Sequence, residues 1–173
     1  ANYIMKPPTR DLMNAMSRAV LQLYAFDDEA ENRSSEHEID TAIMLLSRLP
    51  RIMVLSYHVM RDKFFGDSMF IHHYIPGQST AETILSMLRP DRQFTDTEAK
   101  TLDIMLMLHA EHGGGNNSTF TCRAVTSADT DPYSAYAAAI GSLKGARHGG
   151  ANNRTLRMTD DIKQHVADIT DEG

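Results

Sequence analysis

Apolar residues recur along this chain at i, i+3 and i+4, and strictly alternating runs are scarce, so helical spacing dominates. Leu12, Met16, Ala19, Val20, Leu23 and Tyr24 fall on one such face, with Thr9 placed to cap it. Residues 25–34 are acidic and polar and read as a solvated loop. Ser35 and Glu38 have capping-box spacing ahead of an apolar stripe at Ile39, Ile43, Leu46 and Leu49. Pro50 is expected to end or kink that helix, with Ile52 to Met60 continuing as a second segment. The stretch Phe64 to Gln78, with Gly66, Pro76 and Gly77, reads as irregular.

Two more capping boxes follow. Ser79 with Glu82 opens a short helix that stops before Pro90. Thr95 with Glu98 opens one running to His112, apolar on nearly every side over Leu102 to Leu108 and therefore expected to be buried. Gly113 is placed to end it. Ser118 to Thr126 reads as helix, and Asp131-Pro132 is an N-cap followed by Pro at the first helical position. The helix after it, Tyr133 to Lys144, carries Ala135, Ala137, Ala138, Ala139 and Gly141, small residues that allow close helix–helix approach. A last helix is expected from Gly150 to about Ile169, with a break near Asp160. The architecture is all-α.

Composition narrows the function without naming it. A chain of 173 residues, 42% apolar and 23% charged, has the make-up of one ordinary soluble domain. Net charge is −6 and no basic run occurs, which argues against nucleic-acid binding. No apolar run is long enough to span a membrane, and the first residues lack a signal-peptide core. The single Cys122 cannot form an internal disulfide and points to a reducing, cytoplasmic setting.

The candidate chemistry lies in two histidine–glycine clusters bracketing a helical stretch. The first is His109, His112 and Gly113-Gly114-Gly115 followed by Asn116; the second is Gly145, His148 and Gly149-Gly150. Glycine lets a ligand approach the main chain. His109 and His112 share a face of the last helical turn at i, i+3. With Glu111 they could be read as a metal site, but neither H-E-x-x-H nor H-x-x-E-H is present, so no metal is assigned. The plainer alternative is that they cap their own helix's free carbonyls. His148 stands just before a helix, where a positive helix end disfavours imidazolium and a neutral ring suits donation to a developing oxyanion. Lys144, Arg147, Arg154 and Arg157 could meet an anion or form a solvated surface.

Leu108–Thr121 (LHAEHGGGNNSTFT), Asp131–Ser134 (DPYS) and Ile140–Asn152 (IGSLKGARHGGAN), with STAETI from Ser79 and MLRP from Met87, resemble the bacterial members of the citrate synthase family. Two motifs in the right order with the right gap carry the resemblance over the whole chain. It implies condensation of acetyl-CoA with oxaloacetate to citrate and CoA, without a further cofactor, in a helical homodimer. It implies that His148 supports the acetyl carbonyl oxygen as the enol forms, that His112 and Asn116 hold oxaloacetate, and that His109 stands behind them. Residues 1–149 would belong to the large helical domain and 150–173 to the start of the small one. Ala146-Arg147 depart from the family's usual Pro and apolar residue before the catalytic histidine. The family's Gly-His-x-Val-Tyr motif, later aspartate and substrate-binding arginines belong downstream of the His-Gly-Gly loop, so the chain is expected to be an internal span, inactive alone. The competing readings are 2-methylcitrate synthase, which takes propionyl-CoA, and a non-catalytic helical assembly module.

Overall fold

The computed structural model describes residues 6–110 and 113–166. Among these residues there are seven α-helices, one short 3-10 turn and no strand. The helices are α1 (Leu12–Leu23), α2 (Ser35–Phe65), α3 (Thr80–Leu88), α4 (Asp96–Ala110), α5 (Asn117–Thr126), α6 (Pro132–Leu143) and α7 (Gly150–His165), with the 3-10 turn at Tyr24–Phe26.

Most helix starts follow from local capping chemistry. Ser79 and Glu82 form a complete capping box at α3. Thr95 Oγ1 accepts from the Glu98 amide at 3.2 Å while Glu98 Oε2 accepts from the Thr95 amide at 2.8 Å. Asp131 caps α6 with Pro132 behind it. Two expected caps shift. Asp11 rather than Thr9 caps α1, and Thr9 Oγ1 instead accepts from the Asp11 amide. Ser34 rather than Ser35 caps α2.

α2 runs unbroken for 31 residues across Pro50. Proline removes one backbone bond and crowds the preceding turn, at a cost of about 3 kcal/mol. Each half of α2 has its own packing to offset that cost. Leu45 joins Val20, Ala30, Tyr133 and Ala137 in one buried cluster. Val54 joins Ile84 and Met87 in another. The α2 helix ends at Gly66, whose φ of 77° suits a residue without a Cβ. The expected break at Asp160 is likewise absent, and α7 continues to His165.

α1 packs on α6 and α2, α6 on α5, and α3 between α2 and α4. Ser17 Oγ donates to the Ala137 carbonyl at 2.9 Å and Lys144 pairs with Asp11 at 3.2 Å, so the middle and the C-terminal end of α6 are tied to α1. Two expectations about burial fail. Only the first turns of α4 pack, through Ala99 and Leu102, while Met107 and Leu108 are 62% and 71% exposed. On α2 the stripe Ile39, Ile43 and Leu46 faces solvent, and the opposite face, Thr41 and Leu45, enters the core. An apolar face is buried only where a partner element covers it, and among the described residues none covers these two. No residue of α7 is buried.

Candidate active site

The glycine-rich stretch ends where Asn116 becomes an N-cap. Its backbone is extended, and Oδ1 accepts from the Thr119 amide at 2.7 Å, starting α5. Ser118 therefore lies in the first turn of α5. At the other end of the site, α6 stops at Leu143 and six residues turn the chain into α7. The turn is closed by backbone bonds from Gly145 to the Ser142 carbonyl, from His148 to the Gly145 carbonyl and from Gly149 to the Leu143 carbonyl. A Cβ on Gly149 would overlap the Leu143 carbonyl oxygen. Glycine is required there by close approach, since its φ of −71° is one that any residue adopts.

Packing of α5 against α6 brings the first turn of α5 to the turn that carries His148. Ser118 Oγ stands 2.7 Å from His148 Nε2, across thirty residues of sequence. Asn117 Nδ2 donates to Ser142 Oγ at 2.7 Å and makes a second tie beside it. His148 is half-buried and Ser118 too. Among the described residues the ring's Nδ1 has no partner. When the serine hydroxyl donates to Nε2, the ring proton resides on Nδ1 and that N–H faces away from Ser118. Such a ring can donate one hydrogen bond to a substrate oxygen while its far side is held. Ser118 also borders an apolar cavity of about 270 Å³, with Leu45, Leu49, Tyr136 and Leu143 among its walls.

Of the other site residues expected from sequence, Asn116 uses its carboxamide oxygen as the α5 cap. His109 is exposed on the last turn of α4, and its Nδ1 bonds the Met105 carbonyl, one turn back in its own helix, at 2.7 Å. His112 and Glu111 lie outside the described residues. Ser118 and Asn117 were not singled out by sequence; their position in a helix's first turn after a capping Asn is a local signal, but their partner across the bundle is not.

Two other histidines bond the main chain. His58 is buried and its Nε2 bonds the Met87 carbonyl at 3.1 Å; His72 bonds the Arg89 carbonyl at 2.9 Å. Phe70 packs between these two rings. They wall a cavity of about 650 Å³ that Arg48 and Arg51 border.

Residues 2–172 match the family profile described as citrate synthase, C-terminal domain. The chain belongs to the citrate synthase family. It is 34% identical over 162 residues to a citrate synthase of Heyndrickxia coagulans, an alignment covering 91% of this chain and 40% of that protein. It is 36% identical over 162 residues to 2-methylcitrate synthase 2 of Corynebacterium glutamicum, covering 90% of the chain and 40% of that protein. A 68-residue portion is 50% identical to a citrate synthase of Deinococcus radiodurans, covering 39% of the chain and 18% of that protein. The chain thus spans about 40% of the length of the family members named first. Its all-helical architecture fits the family, and no helix among the described residues is long and apolar enough to cross a membrane.

Proposed function

We propose that this chain forms part of an enzyme that condenses acetyl-CoA with oxaloacetate, and that His148 acts on the acetyl-CoA side. A base removes a methyl proton from the thioester while Nδ1–H of His148 donates to its carbonyl oxygen. The resulting enol carbon attacks the keto carbon of oxaloacetate, forming the carbon–carbon bond. Water then cleaves the thioester to give citrate and CoA. The observation that carries the reading is the Ser118–His148 bond, which fixes the imidazole from behind and leaves the opposite nitrogen for a substrate. A positioned neutral donor of this kind is worth most where negative charge develops on oxygen. His112 and Asn116 hold the keto acid, with His109 supporting that turn. The reading needs no further cofactor.

A second reading, propionyl-CoA in place of acetyl-CoA, is favoured by the 2-methylcitrate synthase among the relatives. The two acyl groups differ by one methylene, worth about 1–3 kcal/mol of discrimination in a pocket. The enzyme works as a helical homodimer in the cytoplasm, and α7 begins its smaller domain.

Thiol release from acetyl-CoA and from propionyl-CoA, with and without oxaloacetate, tests the reading on protein produced from the complete reading frame. Oxaloacetate-dependent release that is lost in His148→Ala supports it. Release independent of oxaloacetate, or unaffected by that substitution, overturns it. The ratio of kcat/KM for the two thioesters decides between the readings.

A further inference from the structure

The cavity of about 650 Å³ is walled by α1, the 3-10 turn, α2, residues 70–72 and α3, and none of its described walls comes from α5, α6 or α7. It is therefore not built by the elements that hold the Ser118–His148 pair. One face of α2 runs along it, with Arg48, Arg51, Ile52, Leu55 and His58 recurring at i, i+3 and i+4. From Arg48 to His58 that face rises about 15 Å. Polarity changes along the way. Arg48 and Arg51 are exposed, whereas Ile52, Val54, His58 and Met87 are buried. A carbonyl can only accept, so His58 and His72 donate Nε2–H to the Met87 and Arg89 carbonyls, and those ring protons are already used. Phe70 packs on both rings and adds an aromatic wall.

The mouth is cationic and unanswered. Among the described residues no carboxylate pairs with Arg48 or Arg51, and neither guanidinium makes a hydrogen bond, although Asp and Glu outnumber Lys and Arg by 23 to 17. Two guanidiniums one helical turn apart repel each other, and an anion between them removes that repulsion. Guanidinium is also the group best shaped to pair with a carboxylate in a forked geometry. Beyond the mouth the walls suit an apolar body, since they gain by removing it from water. A sugar or a nucleotide would bring hydroxyls that Ile52, Leu55 and Met87 cannot satisfy. We propose that this cavity binds a medium-chain carboxylate. Its carboxylate sits at Arg48 and Arg51, and its alkyl chain runs along α2 past Ile52 and Leu55 towards Phe70 and Met87.

The test is calorimetric titration of protein from the complete reading frame with butanoate, hexanoate and octanoate. Affinity should rise about fourfold for each added methylene. Octan-1-ol, which has the chain without the charge, should bind about tenfold more weakly than octanoate. Arg48→Ala/Arg51→Ala should weaken octanoate by about the same factor and leave octan-1-ol unchanged. Both side chains are exposed, so the unfolding temperature of that variant should hold. Arg48→Lys/Arg51→Lys should recover part of the loss, and added salt should weaken octanoate but not octan-1-ol. Leu55→Trp, which fills the cavity, should abolish binding of both, whereas His148→Ala should change neither. Failure of octanoate to bind overturns the proposal, as does an affinity that ignores chain length or survives the double alanine substitution. Binding retained in Leu55→Trp overturns it too, and binding lost in His148→Ala would move the carboxylate to the candidate active site and overturn it likewise.

Discussion

Gly149 donates its amide to the Leu143 carbonyl at 2.9 Å, and there is no room beside that oxygen for a side chain on residue 149. This contact sets the angle at which the chain leaves α6 and enters α7, and His148 lies inside it. Gly149→Ala should force the turn open, at a cost of about 1–3 kcal/mol, because the obstacle is backbone and cannot swing away. Thermal unfolding should show the loss, and the Ser118–His148 bond should loosen with it. Gly150→Ala is the control: a Cβ there meets only ordinary contacts, and stability should hold. Equal stability of the two variants would refute the close-packed turn.

Ser118 should act on His148 through its tautomer. Nitrogen-15 spectra of the imidazole should show the proton on Nδ1 in the wild type and a mixture in Ser118→Ala. Turnover in protein from the complete reading frame should fall by about twofold to tenfold, the range of a single net hydrogen bond. A wild-type ring protonated mainly at Nε2 would sink this account of the pair.

A buried phenol and a carboxylate contribute to the two pH limbs of stability. Tyr133 is 1% exposed, and its hydroxyl donates to Asp27 Oδ2 at 2.6 Å. That bond is the main cause holding the Asp27 carboxyl below its ordinary 3.8, with the nearby His37 adding to it. A depressed carboxyl stabilises the fold above its unfolded value, so this contribution should be lost as pH falls below about 3.8. Burial first, and Asp27 second, push Tyr133 up to about 12. A raised phenol stabilises the fold below its ordinary value, so that contribution should be lost as pH rises from 10.0 towards 12. Asp27→Ala should cost about 1–3 kcal/mol near neutrality by stranding the phenol, and should flatten the acid limb. A denaturation profile across pH that is unchanged in the variant would contradict this.

The helices were legible in the sequence where a cap announced them. Ser79/Glu82, Thr95/Glu98 and Asp131-Pro132 each satisfy orphan amides locally, so four residues suffice to place a helix start. What failed depends on distant partners. Pro50 was expected to interrupt α2, but separate clusters around Leu45 and Val54 hold its two halves in one helix. The Ile39/Ile43/Leu46 stripe has helical period, yet period cannot say which face finds a neighbour, and Thr41 and Leu45 did. At the candidate site, the motif around His148 was legible; its tie to Ser118 was not, because α5–α6 packing creates it.

The uncovered stripes predict association. Leu46 is 70% and Leu108 71% exposed, and such surfaces in one molecule favour burial against a second copy. Sedimentation should show a dimer at micromolar concentration, weakened by Leu108→Glu and by Leu46→Glu. A clean monomer at high concentration would overturn the expectation.

The last prediction concerns residues 1–173 as an isolated polypeptide, which should not turn over acetyl-CoA and oxaloacetate. Making the enol needs a base at the methyl group while His148 supports the oxygen. Among the described residues no carboxylate pairs with His148, whose ring meets only Ser118. A positioned acid or base contributes about 10²–10⁴-fold, so lacking one removes most of the catalysis. Beyond this, α7 has no buried residue to anchor a closing domain. These losses overlap rather than multiply, yet any one of them is large. The measurement is thiol release from acetyl-CoA with and without oxaloacetate. An oxaloacetate-dependent rate in the ordinary enzyme range, roughly 1–10³ per second, would mean that the base and the carboxylate-binding groups all lie between Ala1 and Gly173, and that the site extends beyond the Ser118–His148 pair within this chain.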